Sequence, residues 1–514
     1  MFGKSSAAPS GQEGEVAKAN PLHATSAFAE AKAAVAFDTL QDFVRALGRA
    51  GQLKRIGHPV SPNLEMTEIA DRVVKAGGPA LLFERPVGHA TPVLMNAFGS
   101  MRRMAMALGV ENVEEIAARI EGLLSMQPPG SLLEKARALP KLMSLAAAVP
   151  KRVRSGICQQ VVDDDKPTVQ SLPILTCWPE DAGPYITFGM VFTQDPETHK
   201  RNVGVYRLQV FDGQTLGAHW QIHKVAPRHH RDWEAKKRRM PVAIVIGADP
   251  AMMYAATAPL PEDMDEVVFA GFLRGSPVEL VNCRSINLEV PAGAEIVLEG
   301  YVEHAERRME GPFGDHTGFY SLPAEYPVFH LTCVTHRRHP VYAATVVGRP
   351  PMEDYFLGKA TERIFLPFIR LQLPEIADIA MPPEGVFHNL AVVSIRKRYP
   401  GHAQKVMHAL WGMGQMMFTK VMIVVEDDVN VQDMSEVLFV LGNHVDPERD
   451  VTIVRGPVDS LNHAAPMQDY GSKMGIDATR KWKEEGFQRE WPRPIRMSRE
   501  VREKVDAIWK RLGV

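Results

Sequence analysis

Apolar residues in the first part of the chain recur at helical spacing. The clearest stripe falls at i, i+3, i+4, i+7 and i+8 and is formed by Met66, Ile69, Ala70, Val73 and Val74. This spacing is typical of one buried helix face. Related patterns predict a helix-rich N-terminal α/β domain over residues 37–150. Residues 1–36 are rich in Ala, Ser and Gly and predict a flexible tail, because such residues cannot build a core.

The period changes near residue 151, where short β-rich runs are separated by Gly, Pro and Asp. Examples are ITFGMVFTQ, NVGVYRLQVF and MPVAIVIGA. Asp212-Gly213, between two such runs, is a hairpin signal. Many strands at this spacing predict a barrel or a sandwich over residues 151–345.

Strands and helices alternate in the last third of the chain. NLAVVSI, KVMIVVE and DVTIVRG flank predicted helices at 401–417 and 433–444, and this order predicts a parallel sheet covered by helices within residues 346–490. Residues 491–514 predict an amphipathic end helix with an apolar side formed by Val501, Val505, Ile508 and Trp509. Such a helix is expected to dock on its own domain or on a neighbouring subunit.

Composition and charge narrow the class of protein. The 514 residues are 45% hydrophobic and 23% charged, and the net charge of -2 gives no global field for binding nucleic acid. The four cysteines are widely spaced, which favours a reduced cytosol over a Cys-rich zinc site. No apolar run approaches the roughly 20 residues that span a bilayer. We therefore expect a cytoplasmic globular protein.

Two carboxylates in one Gly/Pro-rich segment are the first candidate site. MEGPFGDHTGFY places Glu310 and Asp315 around Gly-Pro-Phe-Gly, followed at once by His316. Such residues are either turn formers or a working acid pair. Asn202 and Arg207 lie in a predicted strand and face opposite sides of it, since their separation is odd. Either a bulge at Gly204 re-aims one of them, or a ligand approaches from the strand edge.

Two further patterns permit metal chemistry. His219 and His223 have the spacing of two zinc ligands on one helix face, but their flanks look extended. Glu426, Asp427 and Asp428 end a predicted buried strand, where acids either hold magnesium or cap the next helix. The spacing alone leaves both pairs of alternatives open.

Several stretches together resemble the UbiD family of prenylated-flavin decarboxylases. They include CWPEDAGPYITFG, RNVGVYRLQ, EGPFGDHTGFY, GRPPMED, MPPEG and GSKMGIDATRKW, and the likeness runs from about residue 38 to 512. It is strongest to the 4-hydroxy-3-polyprenylbenzoate decarboxylases of quinone biosynthesis. The resemblance implies an α+β multidomain fold. Its parts are a central split β-barrel that binds flavin, a helix-rich N-terminal α/β domain, and a C-terminal α/β domain with parallel strands used in oligomerisation.

The resemblance also implies prenylated FMN as cofactor, with its phosphate bridged to the protein by Mn2+ and with a monovalent cation such as K+ as a further candidate. The implied metal ligands are Asn202, His223 and Glu266. The implied cofactor contacts are Asn202, Val205, Tyr206, Arg207, His219, Trp220, Gln221, Lys224 and Val225. Family members of the quinone pathway carry Arg-Gly where this chain has Lys224-Val225, and Arg-Trp-Leu where it has His219-Trp220-Gln221. These departures bear on phosphate binding and on the choice of substrate.

The implied catalytic network is Arg207, Glu310 and Asp315. Arg207 is always cationic and is expected to hold Glu310 in its ionised form. Asp315 is expected to donate the proton to the carbon that loses CO2, with a pKa raised by burial and by the charge of Glu310.

The expected reaction is non-oxidative decarboxylation of a 4-hydroxybenzoate bearing a polyprenyl tail to a 2-polyprenylphenol in ubiquinone biosynthesis. The alternatives are the same chemistry on a menaquinone-route, small phenolic or heteroaromatic acid, a metal-dependent hydrolase, or a non-enzymatic assembly protein. The expected partners are a flavin prenyltransferase that supplies the cofactor, further copies of the chain, and the inner face of a membrane, but no nucleic acid.

Overall fold

The computed structural model describes residues 37–126, 146, 148–220, 225–261 and 264–513. The predicted tail over 1–36 therefore lies outside the described residues. The first sheet has the strand order β1-β2-β3-β16, with β16 arriving from much later in the chain. Its strands are β1 Leu53–Ile56, β2 Ala80–Phe83, β3 Val93–Met95 and β16 Tyr342–Ala343. The helices beside it are α1 Leu40–Arg49, α2 Glu65–Lys75, α3 Met101–Ala107 and α4 Glu114–Leu124.

Local sequence explains these helices. Helix α1 begins at a capping box in which the Thr39 hydroxyl accepts from the Asp42 amide at 3.2 Å and the Asp42 carboxylate accepts from the Thr39 amide at 3.1 Å. Along α2, the predicted stripe is largely confirmed, since Met66, Ala70 and Val74 are buried.

The middle of the chain forms a closed antiparallel barrel. Six strands follow the order β12-β9-β6-β7-β8-β15, and a further pairing of β12 with β15 closes the circle. They are β6 Tyr185–Gln194, β7 Arg201–Val210, β8 Thr215–Ala218, β9 Met240–Ile246, β12 Ile296–Glu310 and β15 Ala324–His336. The barrel is thus confirmed over the sandwich. The predicted hairpin joins β7 to β8, where the Asp212 carboxylate accepts from the Gln214 amide at 2.8 Å.

Shorter elements surround the barrel. Strand β5 Val161–Asp163 extends it beside β15, and a separate sheet contains β4 Lys151–Arg152, β10 Glu279–Asn282 and β11 Glu289–Pro291. A small hairpin of β13 Phe313–Gly314 and β14 Tyr320–Ser321 lies between β12 and β15 in the chain. The neighbouring helices are α5 Val225–Ala235, α6 Pro250–Ala255 and α7 Glu266–Arg274.

The C-terminal sheet has the order β17-β18-β19-β21-β20. Its strands are β17 Ile376–Ala380, β18 Leu390–Ile395, β19 Val421–Glu426, β20 Val451–Pro457 and β21 Tyr470–Asp477. Strands β18, β19 and β21 are parallel, as predicted for this domain, but DVTIVRG forms β20 and runs antiparallel at the edge. The prediction of a third parallel strand there was wrong, because the more buried β21 takes the place beside β19. The helices are α8 Glu353–Gln372, α9 His402–Trp411, α10 Met434–His444 and α11 Pro447–Asp450.

The last helix, α12 Arg499–Leu512, has no buried residue. Its apolar side is open, with Trp509 52% exposed and Ile508 43% exposed. Of the two expected docking sites, the structure therefore does not support the helix's own domain, and a neighbouring subunit stays a prediction. Among the described helices, none combines the length and apolar character that crossing a bilayer requires.

Candidate active site

Arg207 joins the two carboxylates of the Gly-Pro-Phe-Gly segment. Glu310 ends strand β12, and Asp315 follows β13 directly. The Arg207 Nε atom donates to Glu310 Oε1 at 3.0 Å, its Nη2 atom donates to Oε2 at 3.3 Å, and its Nη1 atom donates to Asp315. The three residues of the expected catalytic network therefore meet at one place.

The backbone beside Arg207 is irregular, although not where we expected. Strand β6 carries two residues, Thr187 and Phe188, opposite Arg207, because the pairing shifts between Ile186 and Gly189. Gly204 itself pairs regularly with β6, so the first of the two alternatives, a bulge at Gly204, is excluded. The pattern of β7 residues did not reveal the bulge because it lies in the partner strand.

Asp181 fixes the hairpin that carries Asp315. One oxygen of its carboxylate accepts from the Gly314 amide at 2.8 Å, and the other accepts from the amides of Cys177 and Trp178 at 3.0 and 2.9 Å. A Cβ atom at Gly314 would come within 2.1 Å of the Trp178 ring. A glycine is therefore required where the hairpin passes over that indole.

Both carboxylates are held as anions. Burial by itself would raise the pKa of Glu310, but the hydrogen bond from His219 and the charge of Arg207 lower it below the ordinary value. The pKa of Asp315 is also lowered, since Arg207 and then His316 outweigh the effect of burial. The expectation of a raised pKa for Asp315 was wrong, because Arg207 neutralises the effect that Glu310 was expected to have.

His219 lies beside the same pair. Its Nδ1 atom is 2.9 Å from Arg207 Nη2 and 3.0 Å from Glu310 Oε2. A neutral imidazole satisfies only one of these contacts at a time. Burial and then Arg207 lower the pKa of His219, so we assign a neutral ring that donates from Nδ1 to Glu310. This role differs from that of a zinc ligand.

Two histidines beside this network were not singled out from the sequence. His316 Nδ1 lies 2.8 Å from Asp315 Oδ1, and His316 Nε2 lies 2.8 Å from His388 Nε2. Both rings line a cavity of about 650 Å³, together with Asp354 at the start of α8. The position of His316 after Asp315 was a usable signal in the sequence. His388 lies in a loop without any pattern that marks it.

The expected metal site is partly described. Asn202 and Glu266 are buried, with 5% and 8% of their surface exposed. The Asn202 amide nitrogen has no partner among the described residues, and Glu266 accepts from the Val203 amide at 3.0 Å. Burial raises the pKa of Glu266 to about 7. His223 lies outside the described residues.

These donors fit a hard divalent cation. A buried carboxylate with a raised pKa lacks a compensating charge, which a cation would supply. Within the ranges that the structure describes, no group of three His, Cys, Asp or Glu side chains converges on a metal position. The expected set, however, includes Asn202, which is not one of these residue types, and His223, which lies outside those ranges.

The other described cofactor contacts of the expected set lie on β7, just after β8 and at the start of α5. Val205 lines the cavity, and Tyr206 is buried behind it. The indole nitrogen of Trp220 is a buried donor with no partner in the described part of the chain. Val225 begins α5, whereas Gln221 and Lys224 lie outside the described residues. A cavity of about 650 Å³ is within the usual roughly 300–1,000 Å³ for cofactor and ligand sites.

The acidic run at the end of β19 is structural. Arg480 pairs with Glu426 at 2.8 Å and also with Asp428, and Asp427 faces Arg396 at 3.7 Å. These arginines supply the charge that a magnesium ion would otherwise supply.

Comparison with known proteins identifies relatives over most of the chain. Profiles of the 3-octaprenyl-4-hydroxybenzoate carboxy-lyase family match as its N-terminal domain over residues 44–120, its Rift-related domain over 151–350 and its C-terminal domain over 355–478. An uncharacterised protein of Archaeoglobus fulgidus is 52% identical over 480 residues, which cover 93% of this chain and 99% of the relative.

Two solved structures are similar throughout. The UbiD-class enzyme HmfF of Pelotomaculum thermopropionicum, an evolved dimeric form in complex with prFMN, has a TM-score of 0.72 and 30% identity, covering 89% of this chain and 97% of that one. The closed form of vanillic acid decarboxylase from Sedimentibacter hydroxybenzoicus has a TM-score of 0.81 and 27% identity, covering 92% and 99%.

Proposed function

This chain belongs to the UbiD family of carboxy-lyases, and from this premise we propose that it decarboxylates a 4-hydroxybenzoate with a polyprenyl tail, using prenylated FMN. The observation that carries the proposal is the position of Arg207 between Glu310 and Asp315, with His316, the hydrogen-bond partner of Asp315, in the wall of a cavity of about 650 Å³. Family membership makes the protein a decarboxylase. The substrate and the residue roles are the proposed part.

We propose that the face including Val205 and Arg207 would hold the cofactor, and that Asn202, His223 and Glu266 would hold a divalent cation such as Mn2+ that offsets the charge of the cofactor phosphate. The complex of HmfF with prFMN supports this choice of cofactor. When bound, the prenylated flavin supplies the electron acceptor that loss of CO2 from an aromatic ring requires. K+ is a candidate for an additional monovalent cation, and we assign no residues to it.

The protein's own groups orient the acid and supply the proton. The guanidinium of Arg207 is the fixed cation of the catalytic network and, although it is not part of the cavity wall, we assign it the role of attracting the substrate carboxylate toward that network. Glu310 has no exposed surface and keeps Arg207 in place. Asp315 lies next to His316, which lines the cavity, and passes the proton to the ring carbon that has lost CO2.

The walls of the cavity favour a substrate with an apolar substituent. Helix α8 and the turn at Gly414–Phe418 contribute a largely apolar wall, which includes Phe365, Phe368, Ile369, Met413, Met416 and Phe418. No lysine or arginine lines the cavity among the described residues. A neutral, flexible tail is therefore better suited to this wall than a second carboxylate.

Vanillic acid, the substrate in the name of one structural neighbour, makes a small phenolic acid the second candidate. Enzyme reconstituted with prenylated flavin and Mn2+ should release CO2 from 4-hydroxybenzoates with tails of increasing length. Vanillic and untailed 4-hydroxybenzoic acids are the comparison. Release of CO2 from the untailed acids alone would reject the tailed substrate.

We also propose three partners. A flavin prenyltransferase supplies the cofactor, a second copy of the chain covers the apolar side of α12, and a membrane surface presents the tailed substrate. Co-sedimentation with anionic and neutral vesicles tests the last of these. Failure to bind either kind of vesicle, with or without substrate, would remove the membrane from the list.

A further inference from the structure

Asp315 needs a source of protons. Its carboxylate is 6% exposed and is held as an anion by Arg207. A carboxylate in this state has no proton to give, so each turnover requires that one be delivered. The same carboxylate accepts two hydrogen bonds from His316, from the backbone amide at 2.7 Å and from ring Nδ1 at 2.8 Å.

A second imidazole continues the chain of hydrogen bonds. His316 Nε2 and His388 Nε2 are 2.8 Å apart, a distance at which one nitrogen donates and the other accepts. With His316 donating from Nδ1 to Asp315, a neutral His316 ring accepts from His388, whereas a protonated His316 ring donates to it. A proton can therefore occupy either ring without any movement of heavy atoms.

Backbone geometry indicates that the position of His388 is imposed. His388 belongs to the C-terminal part of the chain, between the turn Pro383–Gly385 and strand β18. The two residues before it, Val386 and Phe387, have φ angles of 55° and 44°. Such angles are rare for a β-branched or aromatic residue and persist only where the surroundings enforce them. The Phe387 ring packs on His316 with centroids 5.7 Å apart.

The charges around His316 favour a stored proton. Burial would lower the pKa of His316, but Asp315, Asp354 and Asp459 raise it above the ordinary value. These acids come from the catalytic hairpin, from α8 and from the loop after β20, and His388 completes the surroundings. Burial raises the pKa of Asp354 itself to about 7. Asp354 and His388 both line the cavity.

From this arrangement we infer that His316 and His388 form a proton relay that recharges Asp315 during decarboxylation. The inference rests on the proposed role of Asp315 as the group that protonates the ring carbon. In one turnover His316 Nδ1 gives its proton to Asp315, which passes it to the ring carbon as the C–C bond to CO2 breaks, so that the electron pair of that bond forms the new C–H bond. His388 Nε2 gives its proton to His316 Nε2, and His388 takes up one proton from solvent at its other nitrogen. Rotation of the two rings returns the protons to their starting nitrogens, and no group is oxidised or reduced.

The variant that tests the relay is His388→Ala in the flavin-loaded enzyme. We expect kcat to fall by about 10²-fold, a loss at the low end for acid–base catalysis, with KM changed far less. Added imidazole should restore part of the rate, because the truncated side chain leaves room at the cavity wall. His463→Ala is the matched control, since His463 stacks on Phe319 of the same hairpin at 4.3 Å but makes no contact with Asp315.

Several outcomes would overturn the relay. A wild-type rate and an unchanged solvent isotope effect in His388→Ala would do so, and so would a slow variant that imidazole fails to rescue. The experiments distinguish a failure of the relay from a failure of the proposed function. If Asp315→Asn is inactive while His388→Ala has the wild-type rate, only the relay fails. If Asp315→Asn keeps full turnover, both fail.

A second readout needs no turnover. The measurement is NMR of the cofactor-free protein with ¹⁵N-labelled histidine. His388→Ala should remove the two ring-nitrogen signals of one histidine from the spectrum and shift the pH at which His316 titrates. The signal of His316 is assigned with His316→Asn. An unmoved His316 titration would show that the two rings do not share a proton, which would overturn the relay independently of activity.

Discussion

Arg207 and Glu310 are joined by two hydrogen bonds, Nε to Oε1 at 3.0 Å and Nη2 to Oε2 at 3.3 Å, where the Glu310 side chain is inaccessible to solvent. Arg207→Ala would leave this carboxylate and Asp315 buried without their cation. We expect the free energy of unfolding to fall by about 3–5 kcal/mol, the usual cost of leaving one partner of a buried pair. Urea denaturation of the cofactor-free protein measures the change.

A combined variant separates lost charge from lost packing. Adding Glu310→Gln and Asp315→Asn to Arg207→Ala should recover much of the stability, because neither remaining side chain is then charged. Arg239→Ala is the control, since Arg239 pairs with Glu303 at the surface and surface pairs contribute little. An equal, small loss for Arg207→Ala and Arg239→Ala would contradict the buried pairing.

Asp315→Asn should keep the bound flavin and lose most of the turnover. The amide preserves the shape but cannot pass a proton, so kcat should fall by about 10²–10⁴-fold. Flavin absorbance and CO2 release are measured on the same sample. Asp427→Asn, a change at an exposed acid that faces Arg396, is expected to be silent. Full activity of Asp315→Asn would remove Asp315 from the catalytic network.

Glu266→Ala should weaken retention of the flavin. Its carboxylate is buried beside Val203 and is one of the expected ligands of the bridging cation. The molar ratio of flavin and of manganese to protein after desalting should both fall, and Glu279→Ala on the exposed side of β10 should change neither. Removal of the metal from the wild type with a chelator should reproduce the loss. Retention of both groups in Glu266→Ala would exclude it as a ligand.

His316 should make stability depend on pH with a defined sign. Because its folded-state pKa is raised above the ordinary value of about 6.5, its contribution is fully present below about pH 6.5 and is lost as pH rises through the folded-state pKa. The excess stability of wild type over His316→Asn should thus be larger at about pH 6 than at about pH 9. The same subtraction with His58→Asn, at an exposed site, supplies the baseline. A difference that grows with pH would contradict the raised pKa.

The end helix α12 should hold subunits together. Its apolar side is 39% exposed at Val501 and 52% exposed at Trp509, and among the described residues of the helix none is buried. Ile508→Asp with Trp509→Asp should lower the mass measured by light scattering, since two charges would oppose burial against a second copy. Arg499→Asp with Lys510→Asp, on the opposite side of the helix, is the control. An unchanged mass in the first pair would exclude this helix from the interface.

The spacing of apolar residues predicted most of the strands and helices, because this spacing depends only on which face of each element is buried. The β-rich runs became barrel strands, and the stripe through Met66 became α2. The order of strands in the C-terminal sheet depends on which strand is more buried, so β21 could not be placed beside β19 from the period alone. Motifs likewise located Arg207, Glu310 and Asp315, but the direction of the Asp315 pKa depends on distances to Arg207 and His316. His388 contacts His316 across 72 residues of sequence, and no local signal encodes such a contact.

Strand β16 completes the first sheet with Tyr342 and Ala343, paired in parallel with Val93 and Leu94. On the ribosome, this sheet cannot reach its final form until the entire barrel has been synthesised. A truncated chain ending near residue 150 would expose the edge of β3 and invite aggregation. An N-terminal domain expressed or engineered by itself therefore needs a substitute strand in the place of Tyr342 and Ala343.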